Sequence, residues 1–543
     1  MNNTDKAMHV KQVYTELDRK FEEEETQRKA GQQNIGFINL YGFPVDAQAL
    51  DLIPKSTAES LRAVIFYKEG RNLKLGVTES SEKINSLLQK LQTQGYFVEP
   101  YLISLSSFKH MFEGYEKVIS TKHKSEDIKL KSADFKLNSL KELAAKFFSA
   151  SATEIIEQIL GAALHLDASD VHLEPEGSDV KVRFRIDGVL QDTAVLKLDL
   201  HHQIVSRIKI LSKLKLNVTT TPQDGSFGFT YDAAPIDIRV SVIPSAFGES
   251  IVMRILRQDK GSLKFDDLGI SGMALERLDL AMNKPNGMIL TTGPTGSGKT
   301  TTLYAILNKL NEVGVKIITL EDPVEYKIQG ITQTPIDARA GMTFASGLRA
   351  VLRQDPDIVM IGEMRDLETA ETACQAALTG HIVLSTLHTN DAPAAIPRLL
   401  DMGIKPFVLA PAINAIIGQR LIRKICESCK QEYKLPPNLQ SRVEMILKSI
   451  PKASKTAVPK DLKFYHSPGC EQCKGLGYKG RVGVYEVFTI DDEIEKLITK
   501  GATTTEIKQQ AVTDGMITMA QDGILKVLSG VTDVEEVFRV TEE

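Results

Sequence analysis

The residues with the plainest chemistry are Gly293, Pro294, Thr295, Gly296, Ser297, Gly298, Lys299 and Thr300, a complete G-x4-G-K-T phosphate loop. Its glycines let several backbone N–H groups face one point, and the start of a helix adds partial positive charge there. Lys299 has the reach for β- and γ-phosphates, and the Thr300 hydroxyl suits Mg²⁺. Residues 288–292 are apolar and β-branched and read as a strand. Residues 301–310, opening with Thr301, carry apolar side chains at helical spacing. Strand, glycine loop and helix together are the context this motif requires.

Two acids follow at comparable places. Residues 315–320 read as a strand that runs into Glu321, Asp322, Pro323, Val324 and Glu325. Pro323 forces a turn that aims Glu325 inward, where a carboxylate polarises attacking water. Residues 358–361 form a second apolar strand ending in Gly362 and Glu363, which fits a Walker B acid acting on Mg²⁺ through water. His381 precedes the apolar run 382–384 and His388 follows Ser385 to Leu387, one at each end of a single strand, and both read as sensors of nucleotide state.

Four cysteines make a separate chemistry. Cys426, Cys429, Cys470 and Cys473 form C-x2-C…C-x2-C, two knuckles for one tetrahedral structural Zn²⁺ with no open position for a reaction. The gap between the pairs predicts an inserted helix. Cys374 falls on a predicted helix and reads as a small buried apolar residue.

The elements that hold these residues belong to a long chain. Its 543 residues exceed one hydrophobic core and predict three or four domains. Hydrophobic residues make up 42% and charged residues 25%, the balance of a globular protein. Lys plus Arg number 66 against 70 Asp plus Glu, so nothing in the net charge of -4 calls for nucleic acid. No apolar run reaches the ~20 residues that cross a bilayer. The nearest, residues 407–417, is interrupted by Pro411 and Asn414. The polar N-terminus has no secretory signal, which predicts a cytoplasmic protein.

In chain order, residues 1–33 read as a polar tail, a solvated helix or a frayed end, with an acidic run at 22–25. Residues 34–116 read as a small α/β docking domain, with strands at 63–67, 73–77 and 95–98 and a helix at 84–91. Residues 117–137 read as a linker. Residues 138–260 form a second α/β block, with a helix at 153–164 and an alternating strand at 180–186. That strand sets Arg183 and Arg185 on one face against Val182, Phe184 and Ile186 on the other. A helix at 202–215 is basic on one side through Arg207, Lys209, Lys213 and Lys215. Pro222 to Gly225 reads as a turn, and Arg239 lies on a further strand. These arginines suit a solvated sheet face, or contacts to a nucleotide held by a neighbouring subunit. From 285 to 418, strands and helices alternate as in a parallel α/β sheet.

Together the phosphate loop, the acids of 321–325, the strand 358–366 and the His381/His388 segment resemble the Walker A, Asp, Walker B and His boxes of secretion and pilus ATPases. The cysteine pairs resemble the metal-binding subdomain of the assembly branch, the GspE/PilB-like ATPases of type II secretion and type IV pili. The resemblance covers residues 138–540 strongly and 34–114 weakly.

It implies a RecA-like ATPase core at 261–420, preceded by a PAS-like domain and followed by a tetracysteine subdomain at 421–485 and a helical region at 486–543. It also implies a homohexamer hydrolysing ATP with Mg²⁺ at the inner face of the cytoplasmic membrane. The implied partners are an inner-membrane platform protein and a cytoplasmic docking protein, without nucleic acid and with only peripheral membrane contact. Lys299 and Thr300 would hold phosphates and Mg²⁺, Glu325 would be the catalytic carboxylate and Glu363 the Walker B acid. Arg183, Arg185, Arg207 and Arg239 become candidate arginine fingers, the first three more directly. The chain departs from the family where Thr219 to Thr221 and Ser226 stand in place of basic residues around Pro222 to Gly225. The competing reading is a RecA-like nucleic-acid translocase, favoured by the basic helix. The lack of an aromatic stacking platform opposes it.

Overall fold

The computed structural model describes residues 19, 21–33, 35–41, 47–50, 52–112, 129–130, 152–232, 234–257, 264–337, 340–459 and 461–542. The chain forms two compact units: Met1–Lys129 with Asp199–Asn217, and Leu130–Leu198 with Val218–Glu543.

The first unit holds a four-stranded sheet in the order Gly36–Phe37, Phe97–Leu102, Asn72–Val77, Ala63–Glu69. Only the last pair is antiparallel. The helix Glu82–Thr93 starts where the Ser81 hydroxyl accepts from the Ile84 amide, and it buries Ile84 and Leu91. Residues 21–33 are helical, but the helix is not simply solvated. Glu22 Oε1 accepts from the Leu105 amide at 3.0 Å, and Glu23 Oε1 accepts from the Ser107 hydroxyl at 2.9 Å. Ala30 is buried in this unit's core. Glu22 therefore serves orphan amides at the start of the helix at 105–112, a favourable place for a carboxylate, while Glu24 and Glu25 stay exposed as read. The first 18 residues and the expected linker 117–137, apart from 129–130, lie outside the described residues.

The second unit opens with the helix Ala152–His165, whose buried face includes Ile155, Ile156, Ile159 and Leu160. Beside it, six strands of a seven-stranded sheet run antiparallel in the order Gln223–Tyr231, Ala234–Ser245, Gly248–Arg257, Ala168–Glu176, Asp179–Ile186, Val189–Lys197. The alternation read for 180–186 holds: Val182, Phe184 and Ile186 are buried, and Arg183 and Arg185 face the other way. Two local expectations change. The segment expected as a turn at 222–225 enters a strand at Gln223, because Gln223 to Gly225 pair with Val242 to Val240. The basic helix spans Leu198–Leu211, ending earlier than expected, and residues from Asp199 group with the first unit.

The nucleotide-type core is a seven-stranded sheet ordered Thr332–Pro335, Ile317–Glu321, Ile358–Ile361, Ile382–Leu387, Gly287–Thr292, Ile413–Ile425, Tyr478–Thr489. All neighbours are parallel except the last pair. Strands buried on both faces read as continuous apolar runs, and Gly287–Thr292, Ile317–Glu321 and Ile358–Ile361 are buried at every position. The expected boundaries at 420/421 and 485/486 fall inside strands. Ile413–Ile425 runs on beyond 420, and Tyr478–Thr489 pairs with it across both limits. The tetracysteine segment is thus an excursion from the core sheet. No described helix is long and apolar enough to cross a membrane.

Candidate ATPase site and metal centre

In a parallel sheet all C-terminal strand ends share one edge, where ligands bind. Four of the expected segments start there: Gly293 after Thr292, Asp322 after Glu321, Glu363 beyond Ile361, and His388 after Leu387.

The phosphate loop bends through Gly293, Gly296 and Gly298 with φ of 147°, 80° and 89°. Gly293 is also required for space, since a Cβ there would sit 2.4 Å from the Gln419 carbonyl oxygen. The helix Lys299–Leu310 begins directly after this loop. Lys299 donates from Nζ to the carbonyls of Gly293 at 2.8 Å and Pro294 at 3.1 Å. Burial pushes its amine down to about 8, opposed by the charge of Glu363. Ser297 Oγ is buried with no hydrogen-bond partner among the described residues. A buried ammonium, an unpaired hydroxyl and a cradle with no room for a side chain fit a phosphate chain.

Glu363 Oε2 lies 2.7 Å from Arg365 Nε and 3.6 Å from His388 Nε2. Burial, then the positive charge of Lys299, lowers the His388 imidazole below its ordinary range, which favours its neutral form. His381 lies at the opposite end of the same strand, where its Nδ1 is 3.0 Å from the Ala376 carbonyl and its own carbonyl accepts from the Gly287 amide. The two histidines are therefore not brought together.

Glu321 and Glu325 part company as well. Glu321 is buried and wholly engaged, bonded to the Tyr304 hydroxyl, to Thr319 Oγ1 at 2.5 Å and to Gln333 Nε2 at 3.1 Å. Glu325 stands past the Asp322–Pro323 peptide with its side chain 36% exposed, free to meet water. Its carboxylate is 3.3 Å from Arg239 Nη1, and Arg239 Nη2 donates to the Val324 carbonyl at 2.9 Å.

The other arginines of the same unit face acids on their own sheet. Arg183 bonds Glu174, Arg185 Nε is 3.4 Å from Asp170, and Arg254 Nε reaches Asp170 at 3.0 Å. Arg207 lies on the helix Leu198–Leu211 of the first unit.

Sequence reasoning missed Gln419, Tyr304 and Gln333. Gln419 is fully buried and donates to the Ser297 carbonyl at 2.7 Å, tying the neighbouring strand to the phosphate loop. Its signal was an amide directly after the apolar run 415–418.

The cysteines converge on one point. All four Sγ atoms lie within 4.8 Å of one another, and Cys426–Cys470, Cys429–Cys473 and Cys470–Cys473 are each 3.8 Å apart. A tetrahedron with Zn–S bonds of about 2.3 Å has edges of about 3.8 Å. The Cys470 and Gly477 amides donate to Cys473 Sγ at 3.0 and 3.3 Å, a setting that favours a thiolate. The residues fit structural zinc. Between the pairs lies the expected helix, Pro437–Lys448. Cys374 is fully buried in Leu367–Leu378, as expected for a small apolar residue.

The family model described as type II/IV secretion system protein matches residues 148–539. The chain belongs to this family. This GspE/PilB-like ATPase is 46% identical over 394 residues to the type II secretion system protein E of Pseudomonas aeruginosa, covering 73% of this chain and 76% of that one. It is 39% identical over 513 residues to the type IV pilus assembly ATPase PilB of Myxococcus xanthus, covering 93% and 89%. The solved structure of the Legionella pneumophila ATPase DotB shares its fold, with a TM-score of 0.53 at 20% identity over 72% of this chain and 96% of that one.

Proposed function

We propose that this ATPase hydrolyses Mg·ATP at the phosphate loop to drive assembly of a type IV pilus or a type II secretion pseudopilus. The observation that carries the reading is the meeting of Lys299, Glu363 and Glu325 segments on one edge of a parallel sheet, in a chain so close to pilus and secretion ATPases. Gly293 to Thr301 bind the phosphates, with Lys299 countering their charge. Thr300 and Glu363 are the residues that would hold Mg²⁺, which neutralises phosphate oxygens when bound. Glu325 Oε accepts a proton from the attacking water. His388 senses nucleotide through Glu363, and His381 acts from the far strand end.

The working form is a homohexamer in which Arg183, Arg185 and Arg207 reach a neighbour's nucleotide and Arg239 serves its own chain. The four cysteines carry structural Zn²⁺. Residues 34–116 bind a cytoplasmic docking protein, and the ring works against an inner-membrane platform protein, peripheral to the membrane. The test is phosphate release by the assembled full-length chain. Release that needs Mg²⁺ and vanishes in Lys299→Ala supports the reading, and the absence of any release by the assembled ring overturns it.

A further inference from the structure

We infer that Tyr304 and Gln333 are positioning residues that fix the Glu325 turn against the phosphate-loop helix through the buried carboxylate of Glu321. Tyr304 lies on Lys299–Leu310, little more than one turn past Thr300, and is fully buried. Its hydroxyl donates to Glu321 Oε2 and stands 3.4 Å from both the Glu325 amide and Gln333 Nε2. Its ring meets Tyr326 edge to face with centroids 4.6 Å apart.

Gln333 closes the circuit from the strand Thr332–Pro335. Its Nε2 donates to Glu321 Oε1 at 3.1 Å and to the Tyr326 carbonyl at 3.0 Å, while its Oε1 accepts from the Ile328 amide at 2.7 Å. Residues 325, 326 and 328 are thus pegged from one side by two side chains, and one of these stands on the element that begins at Lys299. Burial, and then Glu321, raises the Tyr304 phenol above its ordinary range, so it keeps its proton and remains a donor. The Tyr304 hydroxyl therefore links the acid expected to orient water to the helix that begins at the phosphate loop. Small displacements of a reacting group cost roughly 100-fold in rate.

This rests on the assignment of Glu325 as the catalytic carboxylate, and the experiment separates the two ideas. Single-turnover ATP hydrolysis and nucleotide affinity are measured on the full-length ring for Tyr304→Phe, Gln333→Ala, Glu325→Gln and each combination with Glu325→Gln. Expected is a loss of roughly 10- to 100-fold in rate for Tyr304→Phe with affinity within about twofold, because the hydroxyl acts after binding. In the Glu325→Gln background the same change should cost nothing more, since it works only through Glu325. Gln333→Ala, at a half-buried position that tolerates truncation, should repeat the pattern and decides the matter if Tyr304→Phe does not fold. Equal losses in both backgrounds, or a normal rate with Glu325→Gln inactive, overturn the inference alone. A near-normal rate for Glu325→Gln removes the catalytic assignment itself.

Discussion

Arg239 Nη1 lies 3.3 Å from Glu325 Oε2, and the same guanidinium holds the Val324 carbonyl at 2.9 Å. A cation from the strand Ala234–Ser245 thus grips the turn that carries the expected catalytic acid. Directly across the antiparallel pair from Arg239 is Ser226, where relatives were expected to place an arginine. Arg239→Ala should lower kcat roughly tenfold by loosening the turn, as positioning losses do. Steady-state phosphate release checks this. An unchanged or faster rate would mean that the pair holds Glu325 idle.

Lys299 gives a pH signature. Its amine is pushed down to about 8 by burial, so it loses its charge as pH rises through that value. The value of kcat/KM, which reports free-enzyme groups, should therefore fall above about pH 8. Bound phosphate restores the charge, so kcat should hold to higher pH. The stability of the nucleotide-free chain moves the other way: between the folded value and the higher unfolded value, the unfolded chain binds more protons, so stability rises with pH. Rate profiles and thermal melts over pH 7–10 test both slopes together, and a flat kcat/KM profile would refute the first.

Zinc should be stoichiometric, one per chain, by elemental analysis of the purified protein. Cys426→Ser or Cys473→Ser should abolish it and destabilise the excursion between the two core strands by several kcal/mol, because structural zinc binding is folding free energy. Loss of zinc with an unchanged melting temperature would leave the cysteines without the structural role given to them.

Glu486 offers a buried test. It is fully buried, which raises its carboxyl above the usual range, and it accepts from the Ala392 amide at 2.7 Å and the Met519 amide at 3.3 Å. Glu486→Ala leaves two buried amides unpaired and should cost about 2–4 kcal/mol, while Glu486→Gln keeps one of the two acceptor oxygens and should cost about half as much. Denaturant unfolding compares them, and equal losses would show that packing rather than hydrogen bonding sets the cost.

The local pattern made much of this legible. Glycine spacing, apolar runs of strand length and paired cysteines each have one dominant physical use, so the phosphate loop, the core strands and the cysteine cluster could be read in advance. What was hidden depends on long-range partners. Nothing around Glu22 and Glu23 says that Leu105 and Ser107 will receive them. Nor do Tyr304 and Gln333, 29 positions apart, announce a shared carboxylate. The domain limits expected at 420/421 and 485/486 fall inside strands, because Ile413–Ile425 and Tyr478–Thr489 pair with each other from either side of the cysteine excursion.

That long strand has a mechanical consequence. Ile413–Ile425 is one unbroken extended segment of 13 residues. Near its middle, Gln419 is bonded to the phosphate loop, and the residue after its last is Cys426. Seven rises of about 3.3 Å separate the two, roughly 23 Å. From Gln419 onward the strand is paired along one side only, by Tyr478–Thr489, with an irregularity between Arg423 and Ile425. Gln419 thus ties the phosphate loop to the same strand that leads into the cysteine excursion, and the four cysteines close that excursion where the strand ends.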